Sequence, residues 1–352
     1  MQMMATRILN RRTVRPVELT RMGFGGAPLG NLYRKVSDAD AQAALQAAYD
    51  SGVRYFDTAP QYGLGRSECR FGEAIGRFGR ETIQLSTKVG RLLFDCAPDE
   101  VTPEAFVDVP QKRIVFDYTY DGVMRSYEAS KGRLGVDNVD MLLVHDVCAF
   151  SQGSQEASDA KVRELFDQGG YNALTELRDA GEIAAIGAGV NDWQVCERLL
   201  GLGDFDGFLL AGRYTLLEQD ALETFLPLCE RRDVGIILGG PYNSGILATG
   251  AIAGAKYNYA DAPPEILERV RDIERVCASH DTPLIAAALQ FVLGHPCVKT
   301  VVPGAVSAAE VGANVALVER PIPGALWSDL RGEGLIRLDA PLPLESANAA
   351  QY

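Results

Sequence analysis

The chain predicts an α/β fold, a (β/α)8 TIM barrel with an N-terminal hairpin and loop insertions. Three observations carry that expectation. Short apolar strands alternate eight times with helical stretches between residues 22 and 318, and parallel neighbours need crossovers of that length. No Gly-x-Gly-x-x-Gly follows a strand. Gly23-Phe24-Gly25 runs on into Gly26-Ala27-Pro28 and lacks the third glycine, which disfavours an open dinucleotide-binding sheet. Polar residues also recur at strand C-terminal ends, the rim where barrel enzymes assemble their sites: Asp57, Lys88, His145, Asn191, Arg213-Tyr214, Asn243-Ser244 and Pro303-Gly304. Residues 1–352 are read as a single barrel domain, with inserted loops at about 90–118 and 146–165 and a C-terminal extension at about 321–352.

Each element has a local cause. Residues 7–21 alternate around Arg15-Pro16 and predict a small hairpin. Met22 to Pro28 reads as a first strand ending at Gly25-Gly26, where backbone can approach a ligand closely. Ser37 is an N-cap with Asp40 at the capping-box position, and an alanine-rich helix runs on to Asp50, stopping before Gly52. Val53 to Asp57 is the second strand. Ser67 to Phe78 is a helix with Phe71, Ala74, Ile75 and Phe78 on one face. Gln84 to Val89 alternates as the third strand. Pro98, Pro103 and Pro110 then break the rhythm, so 90–118 is read as a loop. Helix Tyr120 to Leu134 leads to strand Val139 to Val144, and a Ser/Gln-rich segment at about 146–158 is read as mobile. Next come helix Gly170 to Ala180 with strand Ile183 to Gly187, and helix Trp193 to Leu200 with strand Gly207 to Ala211. Helix Asp220 to Arg232 and strand Val234 to Leu238 follow. A loop at 239–262, two helices between Pro264 and Leu293, strand Thr300 to Val302 and helix Ser307 to Val318 complete the set. A helix-like piece at Ala325 to Leu330 precedes a Pro/Ala-rich tail expected to be loosely held.

Composition narrows the class. Basic side chains number 34 against 47 acidic ones, a formal net charge of −13, which disfavours nucleic acid or an anionic membrane as partner. No apolar run approaches the roughly 20 residues of a membrane span. Met1 to Asn10 lacks the apolar stretch of a secretory signal. The seven cysteines stand singly with no Cys-x-x-Cys pair, so neither a zinc ribbon nor a dithiol redox site is predicted. His145 and Cys148 find no further ligands for a metal. Reduced thiols and a cytoplasmic location are expected.

The stretch Tyr55-Phe56-Asp57-Thr58-Ala59-Pro60-Gln61-Tyr62-Gly63 sets an acid and a phenol at a strand end. A phenol with a pKa near 10 is a poor acid or base at neutral pH unless that value falls. A Lys ammonium about 4 Å away favours the phenolate. Asp57 is expected to hold Lys88 charged, Lys88 to lower the Tyr62 pKa, and His145 to bond a substrate oxygen and share in proton transfer. Singly, Asp57 reads as a strand cap, Tyr62 as a packing residue, Lys88 as solvated and His145 as structural; their joint placement argues for one site. The set suits proton movement at a carbonyl or alcohol oxygen but offers no hydride, so a cofactor must supply the redox half.

Asp57-Thr58-Ala59-x-x-Tyr62-Gly63, Ser86-Thr87-Lys88 and Leu142-Leu143-Val144-His145-Asp146 resemble, in order and context, the catalytic tetrad of the aldo-keto reductase superfamily, over about residues 20–320. The resemblance implies a TIM barrel, a nicotinamide cofactor bound extended without a Rossmann domain, and Tyr62 as general acid/base. Residues Gly239 to Leu247 and Ala211 to Leu217 resemble a branch of NAD-linked dehydrogenases of sugars and pyridoxal. That branch implies oxidation of an aldose of L-fucose, D-arabinose or L-galactose type at C1, giving the lactone. The alternatives are oxidation of pyridoxal to 4-pyridoxolactone, general aldehyde reduction and, outside enzymes, a nicotinamide-binding regulatory module. The partner is in each enzymatic case a small sugar, aldehyde or hemiacetal.

The resemblance also places the cofactor. Gly239 stands where many members carry an aromatic that stacks on nicotinamide, Ala211 replaces a carboxamide-binding Gln and Val190 a Ser; Asn191 is retained. Tyr214 is the residue expected to supply stacking. The pyrophosphate is expected at Asn243, Ser244, Gly245 and Leu247, the adenosine end along Gly304 and Ala305, and adenine at Asn314. Pro303 to Glu310 carries no cation to offset a 2′-phosphate. A carboxylate about 4 Å from such a charge costs roughly 4 kcal/mol at an effective dielectric of 20. Glu310 can instead accept from a ribose hydroxyl, so NAD is expected over NADP.

Overall fold

The computed structural model describes residues 4–9 and 15–343. Its main sheet has eight strands: β1 (Phe24–Gly25), β2 (Tyr55–Asp57), β3 (Gln84–Val89), β4 (Met141–His145), β5 (Ala185–Val190), β6 (Gly207–Ala211), β7 (Gly235–Gly239) and β8 (Val298–Val302). Neighbours pair in parallel throughout. The sheet closes through parallel bridges Met22–Val301 and Gly25–Gly304, with Gly23 N donating to Val301 O at 2.9 Å. The predicted (β/α)8 barrel is therefore the observed one. Gly25 approaches the chain itself closely: a Cβ there would stand 2.9 Å from Val302 O.

Alternation along the strands sorts the core into two layers. Met141 and Leu143 of β4 join Tyr55, Leu209, Ile237 and Val302 inside the barrel, while Leu142 and Val144 face the surrounding helices. The N-terminal hairpin, Thr6–Ile8 against Glu18–Thr20, closes the N-terminal end. Leu9, Val17 and Leu19 belong to the interior cluster. A Cβ at Gly207 or Gly235 would come within 2.8 or 2.7 Å of Leu9 Cδ1, so both strands stay bare where the plug enters. Residues 10–14 of the hairpin's turn lie outside the described residues. The first helix, Asp38–Asp50, begins at Ser37, whose Oγ accepts from Asp40 N at 3.0 Å.

The insertions and the extension differ from expectation. Residues 90–118 contain an antiparallel hairpin, Arg91–Asp95 against Lys112–Phe116, because the three prolines are confined to its tip. The segment read as mobile is helical at Ala149–Gln152 and Gln155–Asp167. Ser154 caps the second helix, its Oγ accepting from Ala157 N at 3.1 Å, and Val162 and Leu165 bury its inner face. Residues 220–232 split into a 3-10 turn, Asp220–Leu222, and a helix, Phe225–Arg232, with Pro227 in the first turn where it is tolerated. Within 239–262, Lys256–Tyr257 pairs with Ala260–Asp261. Through residue 343 the C-terminal extension is packed, not loose. Helix Gly324–Gly332 buries Leu326, Trp327 and Leu330, and Leu335, Ile336, Ala340 and Leu342 join the core. Residues 344–352 lie outside the described residues. Among those described, no helix is long and apolar enough to cross a membrane.

Candidate active site

Parallel register brings the ends of β2, β3 and β4 to one rim, and with them Asp57, Lys88 and His145. Tyr62 arrives from the turn after β2. Gly63 there has φ 65°, and a Cβ on it would stand 2.2 Å from Gly30 O, so only glycine allows the turn that delivers the phenol. Lys88 Nζ donates to Asp57 Oδ2 at 2.8 Å, to Thr58 O at 2.9 Å and to Tyr62 Oη at 3.0 Å. The lysine stem runs across Gly189 of β5, where a Cβ would approach Lys88 Cε to 3.0 Å. The second Asp57 oxygen accepts from Ser86 Oγ at 2.7 Å, and Ser86 Oγ lies 2.8 Å from Tyr55 Oη. All four residues read from the sequence converge.

Their charge states follow from burial and pairing. Lys88 is 1 % exposed and Asp57 2 %. Burial pulls the Lys88 ammonium down, but Asp57 and Tyr62 more than offset this and hold it above its ordinary value. Burial also raises the Asp57 carboxyl, against Lys88 and Ser86; with two donors aimed at it, the geometry serves the carboxylate. Burial pushes the Tyr62 phenol up to about 12, with Lys88 pulling it only part of the way back. The expected fall below the ordinary phenol value is thus absent: desolvating a phenolate outweighs an ammonium already paired with Asp57. His145 meets Tyr62 edge-on, ring centroids 5.9 Å apart. Burial, then Lys88 and Arg91, hold it well below the ordinary histidine value, so it is neutral. Its Nδ1 is buried without a partner, while Nε2 lies 3.4 Å from Asp146 Oδ2. The proton therefore belongs on Nε2, since on Nδ1 it would be a buried unpaired donor.

Tyr62, Lys88 and His145 line a cavity of about 370 Å³. One wall is polar. Arg91 Nη2 donates to Asp146 Oδ2 at 2.6 Å and Nη1 to Glu104 Oε1 at 2.8 Å, and Gln61 donates to the other Glu104 oxygen. Leu32, Phe106, Phe150 and Tyr259 add apolar and aromatic lining. The sequence reading missed Arg91, Glu104, Phe106, Asp146 and Tyr259. Asp146 beside His145 and Arg91 just past Lys88 were open to the strand-end rule; the others reach the cavity on loops whose course no local pattern encodes. Cys148 is buried at a helix start, and Trp327 packs toward Phe291; neither lines the cavity.

The residues expected to hold a nicotinamide cofactor divide. Gly189, Val190, Leu209 and Ala211 line the same cavity as Tyr62 without an aromatic or charged side chain, and Asn191 lines it with them. A flat ring bearing a carboxamide fits that donor set. Asn191 Nδ2 meets Tyr259 Oη at 3.4 Å. Tyr214 is fully buried against Phe291 and His295 and does not line the cavity. It cannot stack there because its ring completes the core outside the barrel; Tyr259 is the aromatic beside Asn191. Asn243 is buried and already bonded, accepting from Thr215 Oγ1 at 2.5 Å and donating to Gly212 O at 3.1 Å. Ser244 Oγ accepts from Tyr259 N at 3.0 Å. Gly245 and Leu247 donate backbone N–H to Tyr242 O, and Asn314 accepts from Tyr242 Oη at 2.7 Å. Gly304 bridges Gly25, and Ala305 is buried. Glu310 Oε2 accepts from Val306 N at 2.9 Å, and Arg34, distant in sequence, reaches Glu310 Oε1 at 3.3 Å. The cation missing from the β8 loop thus arrives from another loop, paired with Glu310.

Among the described residues, Glu230, His295 and Cys297 bring ligand atoms within 4.8 Å of one another. Cys297 N donates to His295 Nδ1 at 3.2 Å, leaving the proton on Nε2, which faces Glu230 at 3.8 Å. That tautomer is a hydrogen-bonded histidine with no lone pair for a metal on that side.

Residues 21–332 match the model of the Aldo/keto reductase family. The chain is 43% identical over 327 residues to pyridoxal 4-dehydrogenase of Microbacterium luteolum, covering 90% of this chain and 95% of that protein. It is 37% identical over 320 residues to D-threo-aldose 1-dehydrogenase of a Pseudomonas species, covering 90% and 94%. An aldo-keto reductase from Bacillus halodurans, solved in its holo form, superposes with a TM-score of 0.73 at 22% identity, covering 96% of this chain and 98% of that one.

Proposed function

The chain belongs to the aldo/keto reductase family of oxidoreductases, and from that membership we propose that it oxidises an aldose at C1 to the lactone with NAD. One observation carries the reading. Tyr62, Lys88 and His145, with Asp57 behind Lys88, meet at a cavity whose lining includes two carboxylates, Glu104 and Asp146, acceptors suited to a polyol. When bound, the nicotinamide takes up or delivers the hydride. Tyr62 exchanges the proton of the C1 hydroxyl. Lys88, fixed by Asp57, holds the phenol in place and stabilises its anion. His145 donates from Nε2 to the same oxygen. Asn191 is the side chain proposed to hold the carboxamide, and the loops at 243–247 and 304–305 are proposed to line the phosphates and adenosine.

NAD is preferred because the loop that the resemblance assigns to a 2′-phosphate carries the negative Glu310, and Arg34, which reaches that loop, is paired with it. A second reading, oxidation of the pyridoxal hemiacetal, is favoured by the 43% identity to a pyridoxal dehydrogenase and uses the same proton chemistry. The chain would act as one barrel domain on a small molecule in the cytoplasm. The test follows nicotinamide absorbance with NAD or NADP against L-fucose, D-arabinose, L-galactose and pyridoxal. NADH formed with a sugar is the expected result. Turnover of pyridoxal alone would replace the substrate, and turnover with NADP alone would overturn the cofactor argument.

A further inference from the structure

Asp146 follows His145 in the chain and lines the same cavity. Its backbone is left-handed, φ 55°, a conformation that Asp and Asn adopt more readily than other residues with a Cβ. It is held there from three sides. Asp146 N donates to Gly189 O at 2.9 Å, Gln152 Nε2 donates to Asp146 O at 2.8 Å, and Tyr118 Oη donates to His145 O at 2.5 Å. The carboxylate is fixed as firmly. Its Oδ2 takes Arg91 at 2.6 Å and lies 3.4 Å from His145 Nε2. Its Oδ1 accepts from no described residue. Arg91 is 4 % exposed and its charge is balanced by Asp146 and Glu104.

We propose that Asp146 is a specificity-determining residue that accepts the hydroxyl on the carbon next to the one oxidised. The inference rests on the aldose reading above. His145 Nε2 is the donor for the reacting oxygen, and the Asp146 carboxylate stands beside it, with Oδ2 at 3.4 Å and held by Arg91, so that Oδ1 is the oxygen left for a substrate hydroxyl. Oxygens on adjacent carbons are separated by about a hydrogen-bond length, so one substrate oxygen meets His145 while its neighbour meets Asp146. The second bond is charge-assisted. A substrate lacking that hydroxyl leaves a desolvated carboxylate oxygen unpaired and is rejected. The site therefore selects hemiacetals with a hydroxyl on the adjacent carbon, which is the pattern of aldoses. In the pyridoxal hemiacetal the corresponding hydroxyl is one carbon further away.

The experiment takes whichever of L-fucose, L-galactose and D-arabinose is turned over fastest and compares kcat/KM with that of its 2-deoxy counterpart. The wild type is expected to favour the 2-hydroxy sugar by about 10- to 100-fold. Asp146→Ala should bring the two within a few-fold, and any indirect effect through His145 cancels in the ratio. Asp146→Asn, of the same shape, should lower the preference several-fold and serves if the alanine variant does not fold. Equal use of both sugars by the wild type, or an undiminished preference in the folded variants, overturns the inference while leaving aldose oxidation standing. Turnover of none of the aldoses with either cofactor overturns both.

Discussion

In the proposed mechanism Tyr62 exchanges the proton and Lys88 holds the site together, and the two should fail differently when changed. Tyr62→Phe removes the exchangeable proton but keeps the ring, so turnover should fall by about 10²- to 10⁴-fold with NAD affinity unchanged, as read by fluorescence titration. Retained turnover would remove the phenol from the mechanism. With Tyr62 pushed up to about 12, the phenol is a donor at neutral pH. Aldehyde reduction should therefore be flat from about pH 7 to 9, whereas oxidation, which needs the phenolate, should speed up over the same interval. Equal pH profiles in both directions would contradict the assignment. Lys88→Met leaves Asp57, 2 % exposed, with Ser86 as its remaining side-chain partner. An uncompensated buried carboxylate costs about 3–5 kcal/mol, so this variant should lose stability in urea denaturation as well as activity, where Tyr62→Phe loses activity alone.

Among the elements, the hairpin Arg91–Asp95/Lys112–Phe116 has the largest functional consequence for its size. Its tip brings Glu104 and Phe106 over the cavity, and Arg91 ties that tip to Asp146 on the rim after β4. Glu104→Ala unpairs one arm of Arg91 without touching Tyr62, Lys88 or Asp57. KM for substrate should rise by about tenfold, the equivalent of a charged hydrogen bond, with kcat changed less; a loss confined to kcat would place Glu104 in the chemistry instead. The strands and helices around this hairpin were legible because their periodicity, caps and breaks are local. Ser37 with Asp40, and the exact bounds of Gln84–Val89 and Tyr120–Leu134, are of that kind. The insertions were not. Their strands pair only with each other, and their prolines mask a hairpin whose evidence is the pairing itself.

The whole molecule is a closed barrel with its N-terminal end plugged by the hairpin, and its stability should show both features. Leu9 is 1 % exposed and sits against the bare backbones of Gly207 and Gly235. Leu9→Ala should cost about 2–5 kcal/mol and lower the denaturation midpoint with little change in KM; a neutral effect would mean that the plug is not part of the folded core. Acid should also destabilise the fold. His145 is held well below its ordinary value, and burial, then Lys299, brings His295 to about 4. In each case the unfolded chain binds the proton first. Stability is complete above about pH 6.5 and falls as pH drops toward the folded values, by up to about 1.4 kcal/mol per pH unit per histidine. Urea midpoints at pH 7 and 5 should reveal that slope, and His295→Gln should flatten it.

The four-residue candidate site was readable from the chain because Asp57, Lys88 and His145 sit at strand ends and Tyr62 in the turn just after one, and strand ends in a parallel barrel share one rim by topology. Asp57, Tyr62, Lys88 and His145 needed no tertiary information beyond that. Contacts made across loops were another matter. Tyr214 looked available at the end of β6 but completes the core, and Tyr259 stands beside Asn191 instead. Arg34 meets Glu310 across 276 residues. The Tyr62 phenol is raised rather than lowered, because desolvation depends on how completely the barrel buries it. Sequence periodicity determines which residues face which layer; burial, charge balance and the meeting of distant loops exist only once the chain has closed on itself.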